Sequence, residues 1–109
     1  MLIAIDYDGT YAADKNTFKS IIRCFQSVGH EVCIVTMRSP TLDYHPDFDE
    51  LKDKYDVRVV FCDGVPKRKH CESVNLFFDI WIDDHPESIY LGSQFTDEQL
   101  SDWRKNRAA

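Results

Sequence analysis

The stretch IAIDYDGTY, residues 3–11, ends a short apolar run with two carboxylates one residue apart. If residues 3–5 form a buried strand, Asp6 and Asp8 lie at its carboxyl end with their side chains on the same face. Two like charges held close repel each other, and Mg²⁺, which takes oxygen ligands, would relieve that repulsion. The alternative is an ordinary Asp-Gly turn with both carboxylates in water. The stretch alone leaves both interpretations open.

Three further apolar runs also end in residues with polar or charged side chains. The first run ends at Thr36, which is followed by Met37, Arg38 and Ser39. The second run is followed by a loop and then by Lys67, directly after Pro66. The third run leads into Asp83 and Asp84, which are followed by His85, Pro86 and Glu87. In open α/β sheets the ligand site lies beyond the carboxyl ends of the strands. Carboxylates, a hydroxyl and a lysine gathered there are the groups that phosphoryl transfer requires: metal ligands, a nucleophile and donors to phosphate oxygens.

The elements that must position these residues alternate along the chain. Strands are predicted at residues 2–6, 31–36, 57–62 and 79–83, with a short fifth strand in SIYLG, residues 88–92. Helices are predicted from residue 15 to a stop at Gly29, from Pro46, from about Lys67 to Leu76, and over about 96–107. This order predicts a single α/β domain over residues 1–109, with a parallel sheet and right-handed crossovers.

Side-chain patterns support the helices. The apolar side chains expected to face the core recur at helical spacing at Phe18, Ile21, Ile22, Phe25 and Val28, and then at Phe48, Leu51 and Tyr55. The last helix opens with Thr96 and Gln99 at the spacing of a capping box. These patterns predict where the helices begin and which sides are buried.

The 109 residues carry a formal net charge of −6, which argues against a protein whose main role is to coat nucleic acid. The basic clusters KRKH, residues 67–70, and RKNR, residues 104–107, leave weak nucleic-acid contact open. No apolar run approaches the roughly 20 residues that span a bilayer, and no signal peptide is recognised. A cytoplasmic protein that does not act on membranes is expected.

The four cysteines form no Cys-x-x-Cys pair. A zinc site at Cys62, His70 and Cys71 would lack a usual ligand spacing. Reduced thiols are therefore expected, and Cys24, Cys33 and Cys62 are expected to pack as small apolar residues because they fall in apolar segments.

The ordered motifs Asp-x-Asp-Gly-Thr, strand-Thr, Lys and strand-Asp-Asp resemble those of the haloacid dehalogenase superfamily of phosphohydrolases. The resemblance covers the chain from residue 2 to about residue 90. It implies a three-layer, Rossmann-like parallel sheet with helices on both faces. It also implies Mg²⁺ as the cofactor and a phosphorylated substrate, either small or macromolecular.

The resemblance also implies a role for each matching residue. Asp6 would be the nucleophile that forms an aspartyl-phosphate, and Asp8 the general acid and base, with its backbone carbonyl facing the metal. Thr36 would hydrogen-bond the transferring phosphoryl group. Asp6 and Asp83 would ligate Mg²⁺, and Asp84 would ligate it directly or through water.

Further contacts are expected around the phosphate. A lysine would neutralise charge between the nucleophile and the phosphate; Lys67 and Lys69 both qualify, and Lys67 is preferred because it follows Pro66 at the helix start. Substrate contacts are expected from the two turn residues Gly9 and Thr10 and from the two residues after Thr36, namely Met37 and Arg38.

The chain departs from many relatives in having no room for an inserted cap domain. Only about one helix separates Thr10 from Thr36, and one short helix and a strand separate Thr36 from Lys67. An open site is therefore expected, with a rim near Tyr11, Arg38 and His85, and loops or a partner must exclude water and select the substrate.

The sequence is compatible with three classes of function. The leading one is a phosphatase acting on phosphate monoesters, with a slight preference for nucleotides or polynucleotide 3′-phosphates. The second is a non-catalytic binding or regulatory module with the same fold. The third is a response-regulator receiver, whose phosphorylated aspartate would have to be Asp63; the Asp-Gly-Thr break and the Asp83-Asp84 pair do not fit it.

Overall fold

A computed structural model describes residues 1–92 and 95–108. Its four strands are β1 (Leu2–Asp6), β2 (Glu31–Thr36), β3 (Arg58–Phe61) and β4 (Ile80–Ile82). Its helices are α1 (Lys15–Ser27), α2 (Pro46–Tyr55), α3 (Lys67–Ser73), α4 (Glu87–Tyr90) and α5 (Asp97–Ala108), with a 3₁₀ turn at Tyr11–Ala13. All strand pairs are parallel, so the predicted α/β class with a parallel sheet is confirmed.

The sheet has the strand order β3-β2-β1-β4. In the centre, Ile5 of β1 pairs with Ile34 of β2 on one side and with Ile82 of β4 on the other. The chain leaves β1 towards β2 and β3, and then returns to the opposite side of β1 to form β4. The strand order therefore reverses between β1 and β4, and such a switch point opens a crevice at the carboxyl ends of the two strands.

Both faces of the sheet are covered by helices. One apolar cluster joins Ile3, Ile5 and Ile34 to Ile22 of α1 and Phe48 of α2. The alternate residues of the same strands, Ala4, Cys33 and Val35, belong to a second cluster with Cys71 of α3 and Leu76. Because β1 and β2 are buried on both faces, their sequences are continuously apolar instead of alternating.

The helix ends follow the predicted signals. The Thr96 hydroxyl accepts from the Gln99 amide at 3.1 Å, and the Gln99 side chain accepts from the Thr96 amide at 2.8 Å, which confirms the capping box of α5. Gly29 follows the end of α1 at a φ of +89°, a conformation that favours glycine. Within the described ranges, no helix is both long and apolar enough to cross a membrane.

The predicted fifth strand is wrong. Residues 87–90 form the short helix α4, which begins after Pro86, and the Ile89 amide donates to the Pro86 carbonyl at 3.1 Å. Ile89 is buried while Tyr90 is half exposed, and β4 pairs with β1 on one side only in the described sheet. A run of this length does not by itself distinguish a strand from a buried helical turn.

Three smaller expectations also differ from the structure. Helix α3 ends at Ser73 instead of Leu76, because Asn75 adopts a left-handed φ of +61°. Val28 lies beyond the last turn of α1 and is exposed instead of facing the core. Cys24 is also exposed, since α1 turns its neighbours Ile22 and Phe25 towards the sheet.

Candidate functional site

Three carboxylates meet at the switch point of the sheet. Asp6 is the last residue of β1, and Asp83 and Asp84 directly follow β4. One oxygen of each lies within 4.8 Å of the others, the only such group of acidic, histidine or cysteine side chains in residues 1–92 and 95–108. The side chains of Asp6 and Asp83 are 8% and 3% exposed, and that of Asp84 is 36% exposed. The cluster is therefore largely buried and meets solvent at Asp84.

A buried lysine bridges two of these carboxylates. Lys67 is the first residue of α3 and is 2% exposed, and its Nζ lies 2.6 Å from both Asp6 Oδ1 and Asp83 Oδ2. It shares a helix face with Cys71, four residues later, which is buried against the sheet. Lys69 lies two residues away on the helix and is exposed. Of the two candidate lysines, the structure brings Lys67 to the acids.

The charges within the cluster do not balance. Burial raises the pKa of Asp6 to about 7, although the adjacent Lys67 ammonium acts in the opposite direction. Burial alone would lower the pKa of Lys67, but its contacts with Asp6 and Asp83 outweigh burial and raise it. Burial would likewise raise the pKa of Asp84, yet hydrogen bonds with Asp6 and Thr10 lower it. One ammonium thus serves three carboxylates, and a further cation would complete the charge balance.

The Asp-Gly-Thr turn packs tightly against Asp84. The Thr10 Oγ1 lies 3.2 Å from Asp6 Oδ2 and 3.2 Å from Asp84 Oδ1, and it accepts from the Asp84 amide at 3.2 Å. Gly9 has a φ of +75°, and a Cβ there would lie 2.8 Å from the Cγ of Asp84. Only glycine combines that backbone conformation with so close an approach.

Asp83 is held by the loop and helix that follow β4. The His85 amide donates to its Oδ1 at 2.9 Å, and the Ser88 hydroxyl lies 3.3 Å from its Oδ2. The sequence interpretation missed Ser88, because it placed that residue in a strand. The signal that would have found it is Pro86, which favours a helix start and places Ser88, two residues later, in the first turn of that helix.

Asp8 stands apart from the buried cluster and pairs with Arg38. The guanidinium donates to the Asp8 carboxylate through Nε at 3.0 Å and Nη2 at 2.7 Å, and Nη1 donates to the Asp43 carbonyl at 3.0 Å. It also lies over the Tyr7 ring, 5.0 Å from the centroid. Arg38 was expected to contact substrate, and in this structure it orients Asp8.

The remaining residues singled out in the sequence lie at different depths. Thr36 is fully buried at the end of β2, and its hydroxyl accepts from the Arg38 amide at 3.1 Å. Met37 packs against the second core cluster. The expected rim is wrong at Tyr11, whose ring is completely buried, while His85 is exposed and pairs with Glu87. Among the site carboxylates, Asp84 and Asp8 present much of their surface to solvent, whereas Asp6 and Asp83 are nearly buried.

The donor set at the cluster suits a hard cation. All its side-chain ligands are carboxylate oxygens, which Mg²⁺ prefers, and two of them are already buried next to each other. Within the same described ranges, Cys62, His70 and Cys71 do not form a group that could hold a metal ion. The chemistry of the ligands therefore favours a hard divalent cation at Asp6, Asp83 and Asp84.

Comparison of the chain with protein-family models, with curated proteins and with solved structures finds no match. Function must be inferred from the contacts of Asp6, Lys67 and Asp83 and from the strand order that brings them together.

Proposed function

We propose that this protein is a Mg²⁺-dependent phosphatase of the haloacid dehalogenase type, which hydrolyses phosphate monoesters through an aspartyl-phosphate on Asp6. The observation that carries the proposal is the buried Lys67 ammonium, 2.6 Å from both Asp6 and Asp83 at the carboxyl edge of the sheet. An anionic phosphate can approach a carboxylate nucleophile only where positive charge offsets their repulsion. Lys67 supplies that charge on the protein side.

The strand order supports this fold type. The order β3-β2-β1-β4 matches the first four strands of a doubly wound, Rossmann-like sheet, whose full order is 3-2-1-4-5-6. A receiver of the flavodoxin-like type has the order 2-1-3-4-5. Asp63, the candidate receiver aspartate, lies in an exposed turn, whereas Lys67 contacts Asp6. Both observations favour Asp6 over Asp63 as the phosphorylated residue.

The reaction proceeds in two displacements at phosphorus. A carboxylate oxygen of Asp6 attacks the phosphoryl group, the bond to the substrate oxygen breaks, and Asp8 gives that oxygen a proton. Asp8 then takes a proton from water, whose oxygen attacks the phosphorus, releasing inorganic phosphate and restoring Asp6. Asp6, Asp83, Asp84 and the Asp8 carbonyl would hold Mg²⁺, which would supply positive charge beside the transferring phosphoryl oxygens.

The other residues around Asp6 position these groups. Arg38 fixes the Asp8 carboxylate through two hydrogen bonds, and the leaving oxygen would take its proton there. The Thr36 hydroxyl, together with the Gly9–Thr10 turn and the backbone at Met37, would donate to the phosphoryl oxygens. The substrate is a phosphate monoester, small or macromolecular, and three buried free cysteines fit a reducing compartment such as the cytoplasm.

The test is hydrolysis of aryl and alkyl phosphates with Mg²⁺ and with a chelator. Wild-type protein should release phosphate only with Mg²⁺, and Asp6→Asn should release none. Asp53→Asn is the matched control, because Asp53 is an exposed helical aspartate remote in sequence from every site residue, and it should retain full activity. Activity that survives in Asp6→Asn, or that ignores the chelator, would contradict the proposal.

One observation favours a second candidate, a non-catalytic module with the same metal site. The carboxylates of Asp6 and Asp83 are nearly buried, which restricts access to the nucleophile. Such a module would bind Mg²⁺ at the cluster but turn over none of the phosphate monoesters. The same substrate panel, run beside a Mg²⁺ titration, separates the two candidates.

A further inference from the structure

A second feature lies beside the acid cluster, between β4, α4 and α5. It is a cavity of about 730 Å³, walled by Trp81 of β4, Ile89 and Tyr90 of α4, and Trp103 of α5. This volume falls within the range of about 300–1,000 Å³ that small-molecule sites occupy. None of its lining residues belongs to the proposed phosphatase machinery.

The wall is rich in aromatic rings. The centroids of Tyr90 and Trp103 lie 6.2 Å apart, with their planes inclined by 40°. The Trp81 ring contacts Phe78 edge-to-face, with the ring centroids 5.0 Å apart. Aromatic side chains arranged around an open volume offer stacking surfaces, and a flat ring gains the most from them.

Two polar side chains at the rim restrict the type of ring. Asp102 is exposed, and its carboxylate makes no hydrogen bond or ion pair within the described part of the chain. The Gln99 oxygen already accepts from the Thr96 amide, which leaves its amide hydrogens as donors. A carboxylate only accepts hydrogen bonds when ionised, so it favours a ring that carries an amino group and disfavours an anionic one.

The geometry points to a binding site for a planar heteroaromatic ring bearing an exocyclic amino group. The ring stacks against Trp103 and Trp81, and its amino group donates to Asp102. Nucleobases of the adenine or cytosine type have this chemistry. The ring belongs either to the leaving group of a substrate or to a separate ligand.

The position of the cavity is compatible with a ring that belongs to the substrate and with a ring that belongs to a separate ligand. Trp81 precedes Asp83 by two residues along β4, which is roughly 7 Å of strand. Helix α4 lies between the two features, since its Ser88 contacts Asp83 and its Ile89 lines the cavity. Ring binding itself needs neither metal nor turnover, so it stands or fails separately from the phosphatase proposal.

The two tryptophans of the chain, Trp81 and Trp103, both line this cavity, so their emission reports directly on its occupancy. Adenosine, which carries the amino group, and purine riboside, which has a hydrogen in its place and no N–H on that edge of the ring, are titrated against the full chain, with calorimetry as a second readout. Adenosine should bind about tenfold or more tightly than purine riboside, because its amino group donates to an ionised carboxylate.

Three variants separate stacking from hydrogen bonding. Trp103→Ala should weaken adenosine binding by about 5- to 150-fold, the range for loss of one base–aromatic stack, while Trp103→Phe should retain most of it. Asp102→Asn should reduce the preference for adenosine over purine riboside, because a neutral amide oxygen accepts a weaker hydrogen bond than a carboxylate does. Asp53→Asn, an exposed helical aspartate elsewhere, should change neither affinity.

The source of the ring is read from adenosine monophosphates with the phosphate at the 5′ or 3′ position. If either is hydrolysed with a KM that rises in Trp103→Ala while that of an alkyl phosphate does not, the ring is part of the substrate. If adenosine binds but these kinetics do not respond, the ring belongs to a separate ligand. No saturable binding of adenosine by the wild type, or equal affinity in wild type and Trp103→Ala, overturns the site.

Discussion

Replacing Lys67 by methionine tests how the acid cluster is held together. Methionine keeps most of the side-chain length and removes the ammonium that lies 2.6 Å from both Asp6 and Asp83. Because Lys67 is only 2% exposed, water cannot replace the lost charge. Removing one partner of a buried ion pair costs about 3–5 kcal/mol, since the other charge stays buried and uncompensated. That is a large part of the roughly 5–15 kcal/mol that stabilises a typical domain.

The assay is thermal unfolding in metal-free buffer at about pH 8, above the raised pKa of Asp6. In a domain of this size, each kcal/mol shifts the melting temperature by about 4 °C or more, so Lys67→Met should melt about 12 °C or more below wild type. The matched control is Lys69→Met on the same helix. Lys69 is exposed, so its replacement should change stability by less than about 0.5 kcal/mol.

Magnesium provides the second half of the same experiment. In Lys67→Met the three carboxylates have lost their only close ammonium, so Mg²⁺ should raise the melting temperature more in this variant than in wild type. Phosphatase activity should be lost in Lys67→Met and kept in Lys69→Met. Equal melting of Lys67→Met and wild type without metal would show that the ammonium does not neutralise the cluster, and the reasoning would fail.

Three other predictions concern the same edge of the sheet. Gly9→Ala should lower the free energy of unfolding by about 1–2 kcal/mol because of the positive φ, and it should also weaken Mg²⁺ binding because the new Cβ enters the acid cluster. Gly29→Ala has open space around it and should show only the loss of stability, as measured in denaturant titrations. Without metal, native Asp6 holds its proton up to about pH 7, whereas the unfolded chain releases it near pH 4. The free energy of unfolding should therefore fall as the pH rises from 4 to 7, and Asp6→Asn should remove this part of the pH dependence. Asp8→Asn should slow alkyl phosphate hydrolysis by about 10²–10⁴-fold in steady-state assays but slow aryl phosphates less, since their leaving groups need the proton least.

Much of the sheet could be predicted from the sequence because its pattern is strong. Continuously apolar runs bounded by polar residues mark β1 and β2, and their bounds agree with the prediction. The start of α2 follows from Pro46, and the cap of α5 from Thr96 and Gln99. The segment after β4 was harder to predict, since residues 88–92 have neither the length of a typical helix nor the alternating pattern of a strand.

The candidate site was foreseeable where it depends on topology. Asp6, Asp83 and Lys67 each sit at the end or start of a regular element, and the parallel sheet brings them to one edge. The contacts of the loops were not foreseeable. The pairing of Arg38 with Asp8 spans 30 residues and depends on side-chain rotamers that no local pattern encodes.

Burial was the least predictable property of the site. Tyr11 was placed at the rim because it follows the Asp-Gly-Thr turn, yet the 3₁₀ turn at Tyr11–Ala13 directs its ring into the core near Tyr7. An open site was expected, yet α3 and α4 contribute Lys67 and Ser88, which contact the nearly buried Asp6 and Asp83. These helices are short, and their packing on the sheet edge depends on tertiary contacts.

Chemical trapping of the phosphorylated residue tests the central claim most directly. The protein is mixed with Mg²⁺ and an aryl phosphate, reduced with borohydride, which converts an aspartyl-phosphate to homoserine, and mapped by peptide mass spectrometry. The proposed chemistry predicts homoserine at position 6, in wild type and at a higher level in Asp8→Asn, where breakdown of the intermediate is slow. Homoserine at Asp63 or Asp8 instead, or steady phosphate release with unmodified Asp6 in both proteins, would contradict it.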